Sequence, residues 1–264
     1  MTNVCSRLNP WLKWGGGAIV ILLIAGSIGL NLVLFRLALS RYKSEQRVRM
    51  DPTGAALYVR PNADLPPPEE GKPRVVLFGD SRISLWSPGI RLDRCEIVNR
   101  GWSGETTSQG LLRLDRDVIA LRPRMVLIQE GINDLKGIGL FTREEDAIVD
   151  QCAQNLEEIV TRLRDRGVEI VLLPIFPVGP VPLTRLPIWS DRIFDAVARV
   201  NKRLARLAGL HVTLIDCEPL LAEGGRMRPP FALDEFHLTS SAYRALDDFL
   251  EPRLSPLVSI LKPE

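Results

Sequence analysis

The chain has 264 residues, of which 45% are hydrophobic and 25% are charged, and its formal net charge is +2. These values are ordinary for a globular protein and allow one domain of roughly 200 residues beside a membrane segment. Basic residues are spread over predicted helices and do not interleave with aromatic side chains, so we expect no nucleic acid partner. The four cysteines show no CxxC spacing and have no histidine nearby, which argues against a zinc site. Cys95 and Cys217 lie beside predicted strands and are interpreted as small buried residues, not as a disulfide.

The first predicted element is a membrane-spanning helix over residues 15–36, after a short flank of residues 1–14. Residues 15–35 form a run of 21 residues without a charge, which is long enough to cross a bilayer. The apolar stretch of a cleaved signal peptide is usually about 7–15 residues, so we interpret the segment as a single anchor. Cleavage at a small-residue site formed by Ala38 and Ser40 is the alternative.

Two arguments about the orientation of this anchor conflict. Arg7 and Lys13 precede the apolar run, whereas five basic residues lie within residues 36–49. The positive-inside rule would therefore place the following domain in the cytoplasm. N-terminal anchors more often export the long domain behind them, so we expect a single-pass membrane protein with an extracytoplasmic, for example periplasmic, domain.

Residues 37–73 are predicted to connect the anchor to this domain. Six prolines lie among charged residues between Pro52 and Pro73, and this part lacks a sustained apolar period. It should therefore be extended or irregular, and it would hold the domain away from the membrane surface.

Residues 74–264 form the predicted domain, in which short apolar runs alternate with longer helical patterns. The predicted strands are residues 74–78, 95–98, 125–129, 168–174 and 212–216. The predicted helices are residues 108–121, 143–166, 190–208 and 239–254. Continuous Val, Ile and Leu runs separated by helices are typical of parallel strands that are buried on both faces. The pattern therefore predicts an α/β domain with helices on each side of a parallel sheet.

Polar residues follow each of the first three predicted strands. Residues 79–81 follow the first strand, residues 99–104 follow the second and residues 131–134 follow the third. In open parallel sheets, ligands bind beyond the carboxyl ends of the strands. All three blocks should therefore lie at the same edge, where we predict the functional site.

Ser81 and His237 are the candidate nucleophile and general base. A serine hydroxyl needs a base, and the chain has only two histidines. His211 opens a predicted strand and is interpreted as a strand-edge residue, whereas His237 lies just before the last predicted helix. Asp234 is close enough in a turn to orient the imidazole of His237. The alternatives are that Ser81 only caps a helix and that Asp234 only organises the turn.

Gly104 and Asn133 are candidate donors to an oxyanion. Gly104 lies in a loop that leads into a helix, where its amide could donate, and Asn133 offers a side-chain amide at the same edge. The alternatives are a glycine required for a positive φ and a turn built on Asx hydrogen bonds.

These blocks resemble the SGNH hydrolases, also called the GDSL esterase/lipase family, and are most similar to its lysophospholipase L1-like, arylesterase-type branch. The matching text lies between residues 74 and 254 and reads VVLFGDSRI, VNRGWSGETTSQGLLRL, LIQEGINDLKG and LDEFHLTSSAYRAL. The resemblance implies a flavodoxin-like three-layer α/β/α sandwich with five parallel strands and no metal or cofactor. It implies these site residues: catalytic Ser81, His237 and Asp234; an oxyanion hole made of the Ser81 and Gly104 amides and the Asn133 side chain; and a supporting turn at Gly79 and Asp80.

Four residues depart from the family's usual text and bear on substrate preference: Arg82, Gln129, Glu130 and Leu238.

The segment 174–189 follows the fourth strand, and its prolines should stiffen it. Its apolar residues could form a wall for an acyl chain, a lid over the sheet edge or a surface that meets lipid. The wall interpretation rests on Phe176, Val178 and Trp189. Arg82 and Arg185 could attract an anionic head group, although isolated arginines on loops are usually solvated.

The sequence therefore predicts a membrane-anchored esterase that acts on carboxylic or thioesters through an acyl-enzyme on Ser81. Acetylated envelope saccharides, lysophospholipids and small acyl esters are the candidate substrates. Acyl transfer to a sugar hydroxyl would use the same residues, and a non-catalytic interaction module on the same fold is the rival class. A nucleotide or phosphate binder is disfavoured because neither glycine-rich phosphate motif follows a strand.

Overall fold

A computed structural model of the chain describes residues 10–50, 52, 62, 65, 69–86 and 90–261. The chain divides into two units, residues 1–59 and residues 60–264. Cys5, most of the predicted flank 1–14 and most of the proline-rich half of the predicted connector lie outside the described residues.

The first unit contains one long helix, α1 (Pro10–Met50). Within it, residues 17–46 are long and apolar enough to cross a membrane by length and composition, and no described side chain there is buried. The predicted span 15–36 lies inside this helix. The helix continues into the first half of the predicted connector and ends at Met50.

The second unit is built on a five-stranded sheet in the order β2-β1-β3-β4-β5, and every neighbouring pair is parallel. The strands are β1 (Arg74–Gly79), β2 (Glu96–Gly101), β3 (Met125–Gln129), β4 (Glu169–Leu172) and β5 (Val212–Leu214). This is the flavodoxin-like strand order. The predicted strand count and the parallel arrangement are confirmed.

Helices follow the strands as predicted. The α-helices of this unit are α2 (Ser81–Ser84), α3 (Thr107–Asp117), α4 (Ile132–Leu135), α5 (Glu145–Arg164), α6 (Arg192–Leu204), α7 (Glu218–Leu221) and α8 (Ser240–Ser259). Short 3₁₀ helices occur at Ile119–Leu121, Lys136–Gly139, Thr142–Glu144, Leu183–Ile188, Ala205–Leu207 and Pro229–Phe231. Two short strands, β6 (Ala222–Glu223) and β7 (Arg226–Met227), form an antiparallel pair.

The sheet is buried on both faces, which produces the predicted three layers. Alternate residues of a strand point to opposite faces. Val76 and Phe78 of β1 pack with α3, α5 and α6, whereas Val75 and Leu77 pack with α8 on the other face. Cys95, Cys152 and Cys217 are buried free thiols, so the expectation that Cys95 and Cys217 are not a disulfide is confirmed.

The register of β1 aligns the ends of its two neighbours. Gly79, the last residue of β1, lies opposite Gly101 in β2 and Gln129 in β3. The loops that follow these three strands therefore leave the sheet side by side at one edge, as predicted.

Candidate active site

Ser81 is the first residue of α2 and lies in the tight turn after β1. Gly79 in this turn has a φ of 152°, and a Cβ atom there would lie 1.9 Å from the carbonyl oxygen of Gln129. Only glycine fits this position. Asp80 caps α2, because its carboxylate accepts the backbone N–H of Arg82 at 2.9 Å. The turn holds Ser81 at the carboxyl edge of the sheet, 5% exposed.

His237 connects Ser81 to Asp234. Its Nε2 atom lies 3.1 Å from the Oγ atom of Ser81, and its Nδ1 atom lies 2.7 Å from Oδ2 of Asp234. The other carboxylate oxygen, Oδ1 of Asp234, accepts the backbone N–H groups of Phe236 at 2.8 Å and of His237 at 2.7 Å. The structure thus brings together the three predicted side chains, and the aspartate holds both the imidazole and its loop.

The charge on Asp234 fits an orienting role. Burial raises the pKa of this carboxyl, but the hydrogen bonds from the His237 side chain and from the two backbone amides lower it more, so the pKa lies below its usual value. The side chain is therefore a carboxylate and accepts the Nδ1 proton of His237. In a neutral imidazole with this tautomer, Nε2 is the unprotonated nitrogen and faces the serine hydroxyl, as a general base must.

The two segments that carry the predicted oxyanion donors, Gly104 and Asn133, contact each other. Gly104 lies in the loop between β2 and α3 with a φ of 84°, and Asn133 lies in α4. The Nδ2 atom of Asn133 donates to the backbone carbonyl oxygen of Glu105 at 2.8 Å. One N–H of the Asn133 amide thereby fixes the side chain to the residue after Gly104, and its second N–H has no partner among the described residues.

Comparison with known proteins identifies the family of the chain. The model of the GDSL-like lipase/acylhydrolase family matches residues 89–245, more than half of the chain. The chain belongs to this family. The matched range includes Gly104, Asn133, Asp234 and His237 and begins after Ser81.

The chain is also similar to individual proteins. The chain is 27% identical over 168 residues to thioesterase 1/protease 1/lysophospholipase L1 of Escherichia coli, covering 63% of this chain and 70% of that protein. It is 29% identical over 164 residues to esterase TesA of Pseudomonas aeruginosa, covering 61% and 71%. The crystal structure of a GDSL-like lipase from Bacteroides thetaiotaomicron has a TM-score of 0.59 at 20% identity and covers 74% of this chain and 94% of that chain, which shows the shared fold. The protein is therefore a GDSL-type hydrolase.

The predicted substrate wall is wrong for two of its three residues. Phe176 and Val178 are 2% and 1% exposed and belong to the cores on opposite faces of the sheet. They are buried because the chain after β4 packs against the loop of residues 232–239, which carries His237 and is called the histidine loop here. In this contact the backbone N–H of Gly179 donates to the carbonyl oxygen of Glu235. Trp189 is partly exposed, and its ring lies 5.9 Å from that of Phe236. Of the three predicted wall residues, only Trp189 is exposed enough to contact a substrate.

Arg82, the residue after the serine, is fully buried and is not the solvated arginine expected from its place on a loop. Its guanidinium donates to the carbonyl oxygens of Phe236, Phe176 and Pro177 at 2.8, 2.9 and 3.3 Å. Arg82 is therefore unavailable to an anionic head group. Arg185 is half exposed and pairs with the buried carboxylate of Glu235 at 2.6 Å.

Lys136 is the side chain at this site that the sequence analysis missed. Its Nζ atom donates to Oδ1 of Asn133 at 2.5 Å. The only signal in the sequence is the spacing of three residues within a helical turn, which is compatible with many surface lysines.

Two carboxylates, the buried Glu105 and the partly buried Asp134, follow the predicted oxyanion donors Gly104 and Asn133 in the chain. Glu105 pairs with Arg113, and Asp134 accepts the hydroxyl and the backbone N–H of Thr107 at 2.7 and 2.9 Å. Burial raises the pKa of Asp134 to about 6, although the hydrogen bonds from Thr107 oppose this shift. These contacts attach the start of α3 to the Asn133 block.

The second histidine lies elsewhere. Nδ1 of His211 is 2.6 Å from a carboxylate oxygen of Glu169, at the start of β4 and just before β5. This is the edge opposite Ser81, so the interpretation of His211 as a strand-edge residue is confirmed. Among the described residues, no group of three His, Cys, Asp or Glu side chains could hold a metal ion.

Proposed function

We propose that this GDSL hydrolase cleaves carboxylic or thioesters through an acyl-enzyme on Ser81. The observation that carries the proposal is the chain of contacts from the Ser81 hydroxyl through His237 to Asp234, at 3.1 and 2.7 Å. A base within hydrogen-bond reach of a serine, itself oriented by a carboxylate, is the arrangement that activates this nucleophile.

Each step of the proposed reaction uses these side chains. The Ser81 oxygen attacks the ester carbonyl carbon while Nε2 of His237 takes the hydroxyl proton. The carbonyl oxygen becomes an oxyanion that accepts hydrogen bonds from the Ser81 and Gly104 amides and the Asn133 side chain. The bond to the leaving alcohol or thiol then breaks, and His237 returns the proton to it. A water molecule activated by His237 attacks the acyl-enzyme, and the acid leaves as Ser81 regains its proton.

The substrate proposal follows the relatives and the anchor. The names of the Escherichia coli and Pseudomonas aeruginosa relatives refer to thioester, lysophospholipid and ester substrates. Lysophospholipids and acetylated envelope saccharides would both be available beside a bilayer. A panel of p-nitrophenyl esters from acetate to palmitate separates them, because a lysophospholipase prefers long acyl chains and a deacetylase accepts only the shortest.

The decisive experiment labels the full chain with a fluorophosphonate probe, which reacts with activated serines. Ser81→Ala should abolish labelling and ester hydrolysis. Ser84→Ala, in the same short helix, is the matched control and should retain both. Absence of labelling in the folded wild-type chain would favour the non-catalytic module. Recovery of the acyl group on an added sugar, with no free acid, would identify an acyltransferase.

We also propose that the apolar helix anchors the protein, with the domain 74–264 outside the cytoplasm. The exposed apolar residues between 17 and 46 support insertion into lipid. Protease digestion of intact and opened membrane vesicles tests the side on which the domain lies. The mass of the purified chain tests cleavage, because removal of residues 1–40 would leave a shorter soluble product.

A further inference from the structure

We propose that Lys136 is a positioning residue that holds the amide of Asn133 in the orientation required to bind the oxyanion. This inference rests on the proposed function, because it assigns a role within the same site. It begins from the contact between Nζ of Lys136 and Oδ1 of Asn133 at 2.5 Å.

The two ends of the Asn133 amide are held by groups of opposite hydrogen-bonding character. The ammonium of Lys136 can only donate, and it contacts the amide oxygen. The backbone carbonyl of Glu105 can only accept, and it contacts the amide nitrogen at 2.8 Å. A rotation of the amide by 180° would place its NH₂ group against the ammonium and its oxygen against the carbonyl. Both contacts would then be repulsive, so only one orientation is compatible with the site.

This orientation matters because the amide oxygen and nitrogen have similar sizes but opposite effects on an oxyanion. An N–H group stabilises the negative charge that develops in the transition state, whereas an amide oxygen in the same place repels it. The backbone carbonyl of Glu105 accepts one N–H of the Asn133 amide, so the second N–H is the one available to the substrate. Without Lys136, one of the two contacts that reject the flipped amide is lost.

The positive charge of Lys136 adds to this effect. Among the described residues, no carboxylate forms an ion pair with Lys136, although Asp80, Asp134 and Glu235 lie close enough to act on its charge. A hydrogen bond from a charged donor is stronger than one between neutral groups, and it polarises the amide so that its N–H groups become better donors. Lys136 is exposed, so its substitution should leave the fold intact.

The rival interpretation is that Lys136 binds an anionic group of the substrate. That role predicts an effect on KM that is confined to anionic esters. A positioning role predicts a lower kcat for a neutral ester as well, because the oxyanion forms with every substrate. The two interpretations therefore separate in the steady-state parameters of p-nitrophenyl butyrate, a neutral ester.

The test measures kcat and KM of the full chain for p-nitrophenyl butyrate in the wild type and in four variants: Lys136→Met, Lys136→Arg, Asn133→Ala and the double variant Lys136→Met/Asn133→Ala. We expect Lys136→Met to lower kcat about 10-fold with little change in KM. Asn133→Ala should lower kcat about 10²–10³-fold. Lys136→Arg should recover most of the activity, since arginine keeps a charged donor and has no acceptor. Lys202→Met, an exposed lysine of α6, is the matched control and should be unchanged.

The double variant decides whether Lys136 acts through Asn133. If it does, adding Lys136→Met to Asn133→Ala should change kcat by less than 2-fold. A full additional 10-fold loss, or a wild-type kcat for Lys136→Met, would overturn the inference. A Ser81→Ala chain that still hydrolyses the ester would instead refute the proposed function, so the two failures are distinguishable.

Discussion

Arg82 follows the serine and Phe236 precedes the histidine, and the guanidinium of the first donates to the carbonyl oxygen of the second at 2.8 Å. The same guanidinium binds the carbonyl oxygens of Phe176 and Pro177, and the Tyr243 hydroxyl donates to the carbonyl oxygen of Arg82 at 2.9 Å. These contacts join α2, the histidine loop, the chain after β4 and α8. The distance between the Ser81 hydroxyl and the imidazole therefore depends on the buried guanidinium of Arg82, which does not itself take part in the reaction.

Arg82→Met should destabilise the protein and separate the serine from the histidine. The change leaves two buried carbonyl oxygens and one partly buried carbonyl oxygen without a donor, and each buried one costs about 1–3 kcal/mol. We expect the free energy of unfolding to fall by about 3–5 kcal/mol. Urea unfolding of the full chain in detergent, followed by tryptophan fluorescence, measures this loss. Arg206→Met, an exposed arginine, is the control and should stay within about 0.5 kcal/mol.

Arg82→Lys distinguishes charge from geometry. A lysine keeps the positive charge but cannot reach three carbonyl oxygens with one compact ammonium. Its unfolding free energy should lie between those of the wild type and Arg82→Met, with a kcat below that of the wild type. Wild-type stability in Arg82→Met would contradict the role assigned to the guanidinium.

Asp234→Asn should inactivate the enzyme without unfolding it. The asparagine Oδ1 can still accept the amides of Phe236 and His237, so the loop keeps its shape. Its NH₂ group would face Nδ1 of His237 and favour the tautomer with the proton on Nε2, which cannot accept the serine proton. We expect kcat to fall about 10³–10⁴-fold. Asp165→Asn, on the exposed end of α5, is the control, and a kcat loss below 10-fold in Asp234→Asn would contradict this assignment.

Two glycines of the site should respond differently to alanine. A Cβ atom at Gly79 would lie 1.9 Å from the backbone oxygen of Gln129, whereas one at Gly104 would meet nothing within 4 Å. Gly79→Ala should therefore yield little folded protein. Gly104→Ala should fold with a loss of about 1–2 kcal/mol, because only its positive φ is unfavourable for alanine. Soluble yield and urea unfolding of the two variants measure the contrast, and equal behaviour would contradict it.

The sequence allowed the sheet and the site edge to be predicted because both depend on local patterns. Runs such as Val75–Phe78 are buried on both faces, and the polar blocks directly follow them. Register then aligns the three strand ends without further information. The helix bounds differ from the prediction by a few residues at the ends, where caps and 3₁₀ turns compete with the apolar period.

Burial of the residues after Ser81 and after β4 could not be predicted in the same way. Arg82 is buried because carbonyl groups from distant parts of the chain converge on it, and no local pattern records that convergence. Phe176 and Val178 are apolar in either interpretation, so composition alone does not separate a substrate wall from a core. The segment after β4 lies in the core because its backbone forms hydrogen bonds with β7 and with the histidine loop.

The buried carboxyl of Glu130 should make the stability of the protein depend on pH. Its carboxyl is 1% exposed, and neither oxygen has a hydrogen-bond partner among the described residues. Both oxygens lie against Gly110, where an added Cβ atom would approach them to 2.6 and 2.7 Å. Burial raises the pKa of Glu130 well above its usual value, and the neighbouring carboxylate of Glu105 raises it further. The native state therefore binds this proton more tightly than the unfolded state does.

Glu130→Gln should consequently stabilise the protein at pH 7 and have little effect at pH 4. A carboxyl with a raised native pKa contributes its full stability below the unfolded value of 4.5 and loses it as the pH rises toward the native value. The advantage of the neutral glutamine should grow by up to about 1.4 kcal/mol per pH unit above pH 4.5. Urea unfolding of both chains at pH 4, 5.5 and 7 measures this slope, with Glu158→Gln, an exposed residue of α5, as the control. A Glu130→Gln effect that is equal at all three pH values would mean that the native carboxyl is not protonated preferentially.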